Sequence, residues 1–306
     1  MTEPTLNYLS CQDANGGHRM AYWQWGQADS PHVVVCVHGL SRQGRDFDVL
    51  ARSLCALAAG RPGGIRVVCP DVVGRGESDW LKDPDGYQIP VYAADMLALL
   101  AQLHAQAPIT ALDWVGTSMG GLIGLVVCGY AGLPLPVPLR KLVLNDVGPA
   151  LEWQAIARIG TYLGEAGHFD TLEDAANAMW AISHGFGPHT PEQWLALSRP
   201  MVRPVSSAPG SALRLHYDPA LAAPFKLATE ASTQEGEVAL WQLYDNIKAE
   251  TLVMRGALSD LLSPGTAQAM TQRGPRARLV EFEGVGHAPT LIAEDQVAAI
   301  SHFLLG

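Results

Sequence analysis

The sequence predicts an α/β architecture, a mainly parallel sheet with helices on both faces and a helical insertion. Strand-like and helix-like runs alternate along most of the chain, the signature of such a layered sheet. The run Gly116-Thr117-Ser118-Met119-Gly120 joins a strand-like stretch, Ala111 to Val115, to a helix-like one, Leu122 to Val127. The alternation stops at Gly148-Pro149 and resumes near Leu252, about a hundred residues later.

Taken in order, Met1 to Gly26 reads as a hairpin, with Leu6 to Cys11 pairing with Met20 to Trp25 across the turn signal Asn15-Gly16-Gly17. Val33 to Val37 is a β-branched run suited to a buried strand, and it ends in the turn His38-Gly39-Leu40-Ser41. A helix over Phe47 to Ala58, a strand over Ile65 to Cys69 and a helix over Val91 to Leu103 follow. In the last of these Met96, Leu99, Leu100 and Leu103 recur at helical spacing and mark a core face. Within the insertion, Ile156, Ile159, Tyr162 and Leu163 fit one helical face and Leu172 to Ile182 another, while Pro191 to Leu197 opens like a helix with proline in its first turn. Arg199 to Pro209 is rich in Pro and Ser without a period and is expected to be a loop. Trp153, Trp180, Trp194, Met179 and Phe186 give the insertion an apolar content that suits either a roof over a site or packing of its helices on each other.

The Gly116 to Gly121 turn carries the chemistry. A serine hydroxyl reacts only when it is held clear of its own backbone and offered to a base, and the sharp turn that does this tolerates no bulk at Gly116, Gly120 and Gly121. Ser118 as nucleophile requires a histidine base, an acid to orient it, and backbone N–H groups to hold the oxyanion. Among the ten histidines His287 is best placed, in Gly284-Val285-Gly286-His287 after the strand-like Ala277 to Phe282. Two aspartates stand as candidate acids, each after an apolar run: Asp260, beyond Thr251 to Gly256, and Asp146, beyond Leu142 to Asn145. Asp146 also suits a plain turn before Gly148-Pro149. Met119 and Leu40 are the expected oxyanion donors, which leaves His38 as a structural turn residue.

These segments resemble the α/β-hydrolase superfamily over nearly the whole chain. His38-Gly39 resembles its oxyanion loop, Asp71-Val72-Val73-Gly74-Arg75-Gly76-Glu77-Ser78 its Asp-x-x-Gly-x-Gly-x-Ser loop, and Gly116 to Gly121 its nucleophile elbow. The resemblance implies an eight-stranded, mainly parallel sheet formed by residues 1–148 and 238–306, with residues 149–237 as an inserted helical cap. It also favours Asp260 over Asp146, because the strand before the histidine strand is the usual source of the acid. It implies cofactor-free cleavage of a small to medium carboxylic ester through an acyl-enzyme intermediate. Serine at the elbow sets aside the dehalogenases and epoxide hydrolases of this fold, which place aspartate there. Carbon–carbon hydrolysis of ring-cleavage products, enol-lactone hydrolysis and a small-ligand receptor role fit the same motifs. Arg158, Arg199, Arg203 and Arg214 are candidate partners for a substrate carboxylate or simply solvated.

Composition sets further bounds. A chain of 306 residues with 48% hydrophobic content can bury a full core. A net charge of −10 argues against nucleic acid as a partner, and the resemblance implies a small ester-like molecule instead. No apolar run approaches the roughly 18 residues of a membrane span, and the first residues lack the pattern of a signal peptide, so a cytoplasmic location away from membranes is expected. Cys11, Cys36, Cys55, Cys69 and Cys128 are odd in number and without Cys-x-x-Cys spacing, which suits reduced thiols. The sequence shows no metal-binding motif, and no metal is expected.

Overall fold

A computed structural model of the chain describes residues 3–165 and 167–306. Met1 and Thr2, which open the expected hairpin segment, lie outside them. The chain begins with β1 (Thr5–Cys11), β2 (His18–Gly26), β3 (His32–Val37), α1 (Asp48–Ala58), β4 (Arg66–Asp71), α2 (Ile89–Gln106), β5 (Ala111–Thr117), α3 (Met119–Gly129) and β6 (Leu139–Asn145). The segment after β6 contributes α4 (Trp153–Tyr162), β7 (His168–Phe169), α5 (Leu172–Ile182), α6 (Pro191–Ser198), β8 (Val202–Pro204), β9 (Leu213–Leu215), α7 (Ala223–Leu227) and α8 (Glu230–Asn246). The fold closes with β10 (Glu250–Gly256), α9 (Pro264–Met270), β11 (Arg278–Phe282) and α10 (Glu294–Leu305).

Eight strands form one sheet in the order β1-β2-β4-β3-β5-β6-β10-β11. The β1–β2 hairpin and the β2–β4 pair are antiparallel, and every pairing from β4 to β11 is parallel. The hairpin register places Leu9 opposite Met20, and Gly16 and Gly17 turn it with φ of 105° and 100°. β3 shows why the middle strands are continuously apolar. Val33, Val35 and Val37 enter a core with Met96 and Leu99 of α2 and Ile123 of α3, while Val34 and Cys36 enter a second core with Leu50 of α1 and Ile300 of α10. Each such side chain contributes roughly 1.5–3 kcal/mol on full burial, so alternate residues of one strand hold both helix layers to the sheet.

Two expectations change in the segment between β6 and β10. Residues 199–209 do not form a loop throughout, because Val202–Pro204 pairs with β9 and β9 with β7 in a three-stranded sheet. Strands of two or three residues are too short to show a period of two in sequence. The junction expected between residues 237 and 238 falls inside α8, which starts at a Thr229–Ser232 capping box and runs unbroken to Asn246. α8 lies close on α3, where a Cβ on Gly129 would meet the Leu243 carbonyl at 2.2 Å. The segment also has a small core of its own, built from Ala175, Ala176, Met179, Trp194, Leu197 and Met201.

The turn between β5 and α3 depends on close backbone approach. A Cβ on Gly120 would lie 2.0 Å from the Val37 carbonyl oxygen, and one on Gly116 would lie 2.4 Å from the Gly120 oxygen. Backbone cannot move aside as a flexible side chain can. Gly120→Ala is expected to cost at least the ~1–3 kcal/mol usual for overpacking, read as a lower denaturant midpoint. Gly60→Ala, with no atom within 4 Å of its added methyl, is the near-neutral control.

Candidate active site

Ser118 follows β5 directly, in a conformation (φ 51°, ψ −116°) that non-glycine residues rarely adopt. Such backbone costs of order 1–3 kcal/mol and persists only where its surroundings fix it. Here the close-packed glycines fix it, together with a 2.9 Å bond from the Ser118 N–H to the Asn145 carbonyl at the end of β6.

The loop after β11 brings His287 to Ser118, with Nε2 2.9 Å from Oγ. On the other side of the ring, Nδ1 lies 2.7 Å from Oδ2 of Asp146. An ionised carboxylate can only accept, so Nδ1 carries the proton and the Nε2 lone pair faces the serine hydroxyl. Asp146 is fully buried and has φ of 55° at the first position beyond β6. Its other contacts come from the turn after β10: the Gly256 N–H donates to Oδ1 at 2.8 Å and the Ser259 hydroxyl to Oδ2 at 2.5 Å.

Asp260, the acid favoured from sequence, is not beside His287. Its side chain is 47% exposed and accepts from Arg158 on α4, through Nε at 2.8 Å and Nη2 at 2.7 Å. The physical reason is that the turn after β10 spends its inward-facing groups, the Gly256 N–H and the Ser259 hydroxyl, as donors to Asp146, and Asp260 points outward. Ser259 is the residue that sequence reasoning missed. Its only signal is its place in the turn assigned to the acid.

The expected oxyanion donors flank the serine. Met119 opens α3, where an N–H has no intrahelical acceptor, and Leu40 lines the cavity beside Ser118. Arg75 braces both. Fully buried, it donates through Nε to the Leu40 carbonyl at 2.8 Å and through Nη2 to Met119 Sδ at 3.3 Å, and its guanidinium lies 4.9 Å from the Tyr92 ring centre. His38 is the structural turn residue expected. Its Nε2 accepts from the Val72 N–H at 2.9 Å and its Nδ1 donates to the Gly39 carbonyl at 2.7 Å. Burial, with Arg75 and Arg42 adding to it, pushes its pKa down to about 3, so the ring is neutral.

Ser118 and His287 open into a cavity of about 120 Å³ walled mainly by apolar side chains, among them Ile159, Leu163, Met179, Phe186 and Met201. Trp153, Trp180 and Trp194 are not in this wall. Trp180 and Trp194 pack edge-on at 5.0 Å, and the Trp194 indole donates to the Ala176 carbonyl at 2.7 Å, so they hold α5 to α6. Of the four arginines weighed from sequence only Arg158 reaches the cavity; the guanidinium groups of Arg203 and Arg214 lie 5.0 and 5.2 Å from the centre of the Trp80 ring. Away from the site, folding gathers Cys11, His18 and Asp95, a grouping the sequence does not show. Both His18 ring nitrogens already meet carboxylates there, Asp13 at 3.0 Å and Asp95 at 2.9 Å.

This sheet order, the elbow and the late histidine agree with a match of residues 34–300 to the alpha/beta hydrolase family. The chain belongs to that family. It is similar to a 3-hydroxybutyrate-oligomer hydrolase of Cupriavidus necator, 47% identical over 303 residues that cover 99% of this chain and 98% of the relative. Among solved structures it is similar to an alpha/beta hydrolase from Novosphingobium aromaticivorans, with 34% identity, a TM-score of 0.81 and coverage of 100% of this chain and 99% of the other. Among the described residues of this hydrolase no helix is long and apolar enough to cross a membrane.

Asp146→Asn keeps the shape but presents an N–H where Nδ1–H needs an acceptor, and should lower kcat on p-nitrophenyl butyrate by about 10⁴-fold, the scale of the same change in other serine sites. Asp260→Asn should cost less than roughly tenfold in the same steady-state assay, since no atom of Asp260 touches the imidazole. His38 bears on stability. Its folded pKa of about 3 lies below the ordinary 6.5, so the unfolded chain takes up a proton that the folded one refuses, and stability present above pH 6.5 is lost as pH falls towards 3. Urea melts across that range should show a shallower fall for His38→Gln than for the parent.

Proposed function

We propose that this protein is a serine hydrolase that cleaves carboxylic esters through an acyl-enzyme, with short oligomers of a 3-hydroxy acid as its substrates. The observation that carries the reading is the alignment of Ser118 Oγ, the His287 ring and the buried Asp146 carboxylate, at 2.9 and 2.7 Å. His287 takes the Ser118 proton as Oγ attacks the ester carbonyl. Asp146 fixes the tautomer and stabilises the imidazolium that forms. The Leu40 and Met119 N–H groups receive the oxyanion, each such donor contributing about 3 kcal/mol to lowering the barrier. His287 then protonates the leaving alcohol, and water repeats the sequence on the acyl-enzyme. The chemistry draws on no cofactor.

The substrate class rests on the cavity and the relative together. A space of about 120 Å³ with apolar walls suits a short acyl chain rather than a long lipid. The Cupriavidus necator relative is named for 3-hydroxybutyrate oligomers and matches almost end to end. The segment between β6 and β10 acts in this reading as the cap that sets acyl size, through Ile159, Met179 and Phe186, which line the cavity with Ser118. A cytoplasmic setting fits a soluble enzyme for small oligomers.

The test is direct. Ser118→Ala should abolish hydrolysis of 3-hydroxybutyrate dimer and trimer while leaving the thermal melt close to the parent's, and a fluorophosphonate should label the parent at Ser118 by peptide mass mapping. Turnover retained by the purified Ser118→Ala protein would overturn the nucleophile assignment.

A further inference from the structure

The cavity over Ser118 does not end at His287. A second, more open compartment of about 490 Å³ lies beyond it, and four residues line both spaces: Arg158, Tyr162, Ile182 and His287. His287 therefore borders both a small, mainly apolar space and a roomier one with a larger polar share of its wall.

Two arginines reach these walls, and they are held differently. Arg42 is locked: its Nε and Nη2 meet the two oxygens of Asp46 fork to fork, each at 2.7 Å, with side chains only 12% and 17% exposed. Arg158 is not. Both of its bonds to Asp260 converge on one carboxylate oxygen, at 2.8 and 2.7 Å, and the two side chains are 43% and 47% exposed. A pair so exposed is weak, so Arg158 can exchange or share its partner at little cost. Its place is nonetheless set, because the Glu152 N–H at the start of α4 donates to the Leu261 carbonyl beside Asp260 at 3.1 Å.

We propose that Arg158 is the subsite for the free carboxylate of an oligoester, so that the enzyme removes 3-hydroxy acid units from the carboxyl end. The inference rests on the ester-cleaving reading above and names the part of the substrate that the outer compartment recognises. The chemistry of the oligomer sets the geometry. In the terminal unit the ester oxygen, which leaves as the alcohol, is separated from the carboxylate by two carbons. That oxygen must lie at His287 Nε2 to receive its proton, which puts the carboxylate just beyond the ring, in the compartment that Arg158 lines. The acyl part remains in the apolar cavity on Ser118. Guanidinium is the donor best matched to a carboxylate, through two parallel N–H bonds.

The experiment compares kcat/KM on the 3-hydroxybutyrate trimer as free acid and as its methyl ester, for each protein. The parent should prefer the free acid at least tenfold, and Arg158→Gln should reduce that preference at least tenfold. Asp260→Asn, which releases Arg158 from its competitor, should raise the preference several-fold, and the gain should vanish in the Arg158→Gln, Asp260→Asn double variant. A trimer labelled at its hydroxyl end should first yield labelled dimer and unlabelled monomer. Equal rates on acid and methyl ester in the parent, an unchanged preference in Arg158→Gln, a gain from Asp260→Asn that persists without Arg158, or labelled monomer as the first product would each overturn the subsite. Failure of the parent to hydrolyse either form would instead overturn the ester-cleaving reading.

Discussion

A carboxylate withdrawn from water costs several kcal/mol unless every face of it is answered, and Asp146 is fully buried. Its donors come from two loops that are remote in sequence: the Gly256 N–H and Ser259 hydroxyl after β10, and the His287 Nδ1–H after β11. Satisfying this one group thus ties the carboxyl ends of β6, β10 and β11 together, and the Asp146 N–H adds a 2.8 Å bond to the Met254 carbonyl inside β10. The ring orientation and tautomer of His287 follow from that bond. So does its alignment with Ser118, because Asn145, one residue before Asp146, accepts the serine N–H. The site depends on burying one charge correctly at a place where three parallel strands end.

The same constraint explains what the sequence could and could not reveal. Ser118 and His287 were legible because both sit in glycine-punctuated turns, and the elbow glycines have a steric reason that any sequence with this turn must meet. The parallel sheet was legible from β3, whose unbroken apolar run matches burial on both faces. The acid was not. Asp146 and Asp260 both follow apolar strands, and which one points inward is decided by a single backbone conformation, φ of 55° at Asp146, that leaves no mark on composition. Ser259 was hidden for the same reason: a serine in a turn has no periodicity to betray that its hydroxyl faces a buried acid.

The cavity wall shows a similar limit. Met179 and Trp180 are neighbours on α5, yet only Met179 faces the serine, with Ile182 three residues on beside it. Spacing of three or four residues selects one face of a helix, and the adjacent Trp180 is carried round to α6, where it meets Trp194 at 5.0 Å. Bulk alone suggested tryptophan as the roof, but the larger aromatic rings hold the inserted helices to one another. Their contribution to the site is indirect: they pack α5 against α6, and Met179 and Ile182 of α5 line the cavity with the serine. The short strands β7, β8 and β9 act alike, since Leu215 of β9 also reaches the cavity.

Acyl transfer to water asks one imidazole to serve two partners in turn, the departing alcohol and then the attacking water. The position of His287 between a small apolar space and a larger open one suits that sequence of events. On the proposed mechanism the acyl chain would stay in the apolar space, where scarce water strengthens the electrostatic hold on the oxyanion. In the proposed mechanism the alcohol would leave into the open side, and water would enter from that same side to the same nitrogen. Arg158 and Asp260 stand at this outer exit rather than at the proton relay. The two aspartates weighed from strand order are thus separated by burial: Asp146, shut from water, meets His287 Nδ1 and in the proposed mechanism orients the base, whereas Asp260, half exposed, pairs with Arg158 at the wall of the outer compartment.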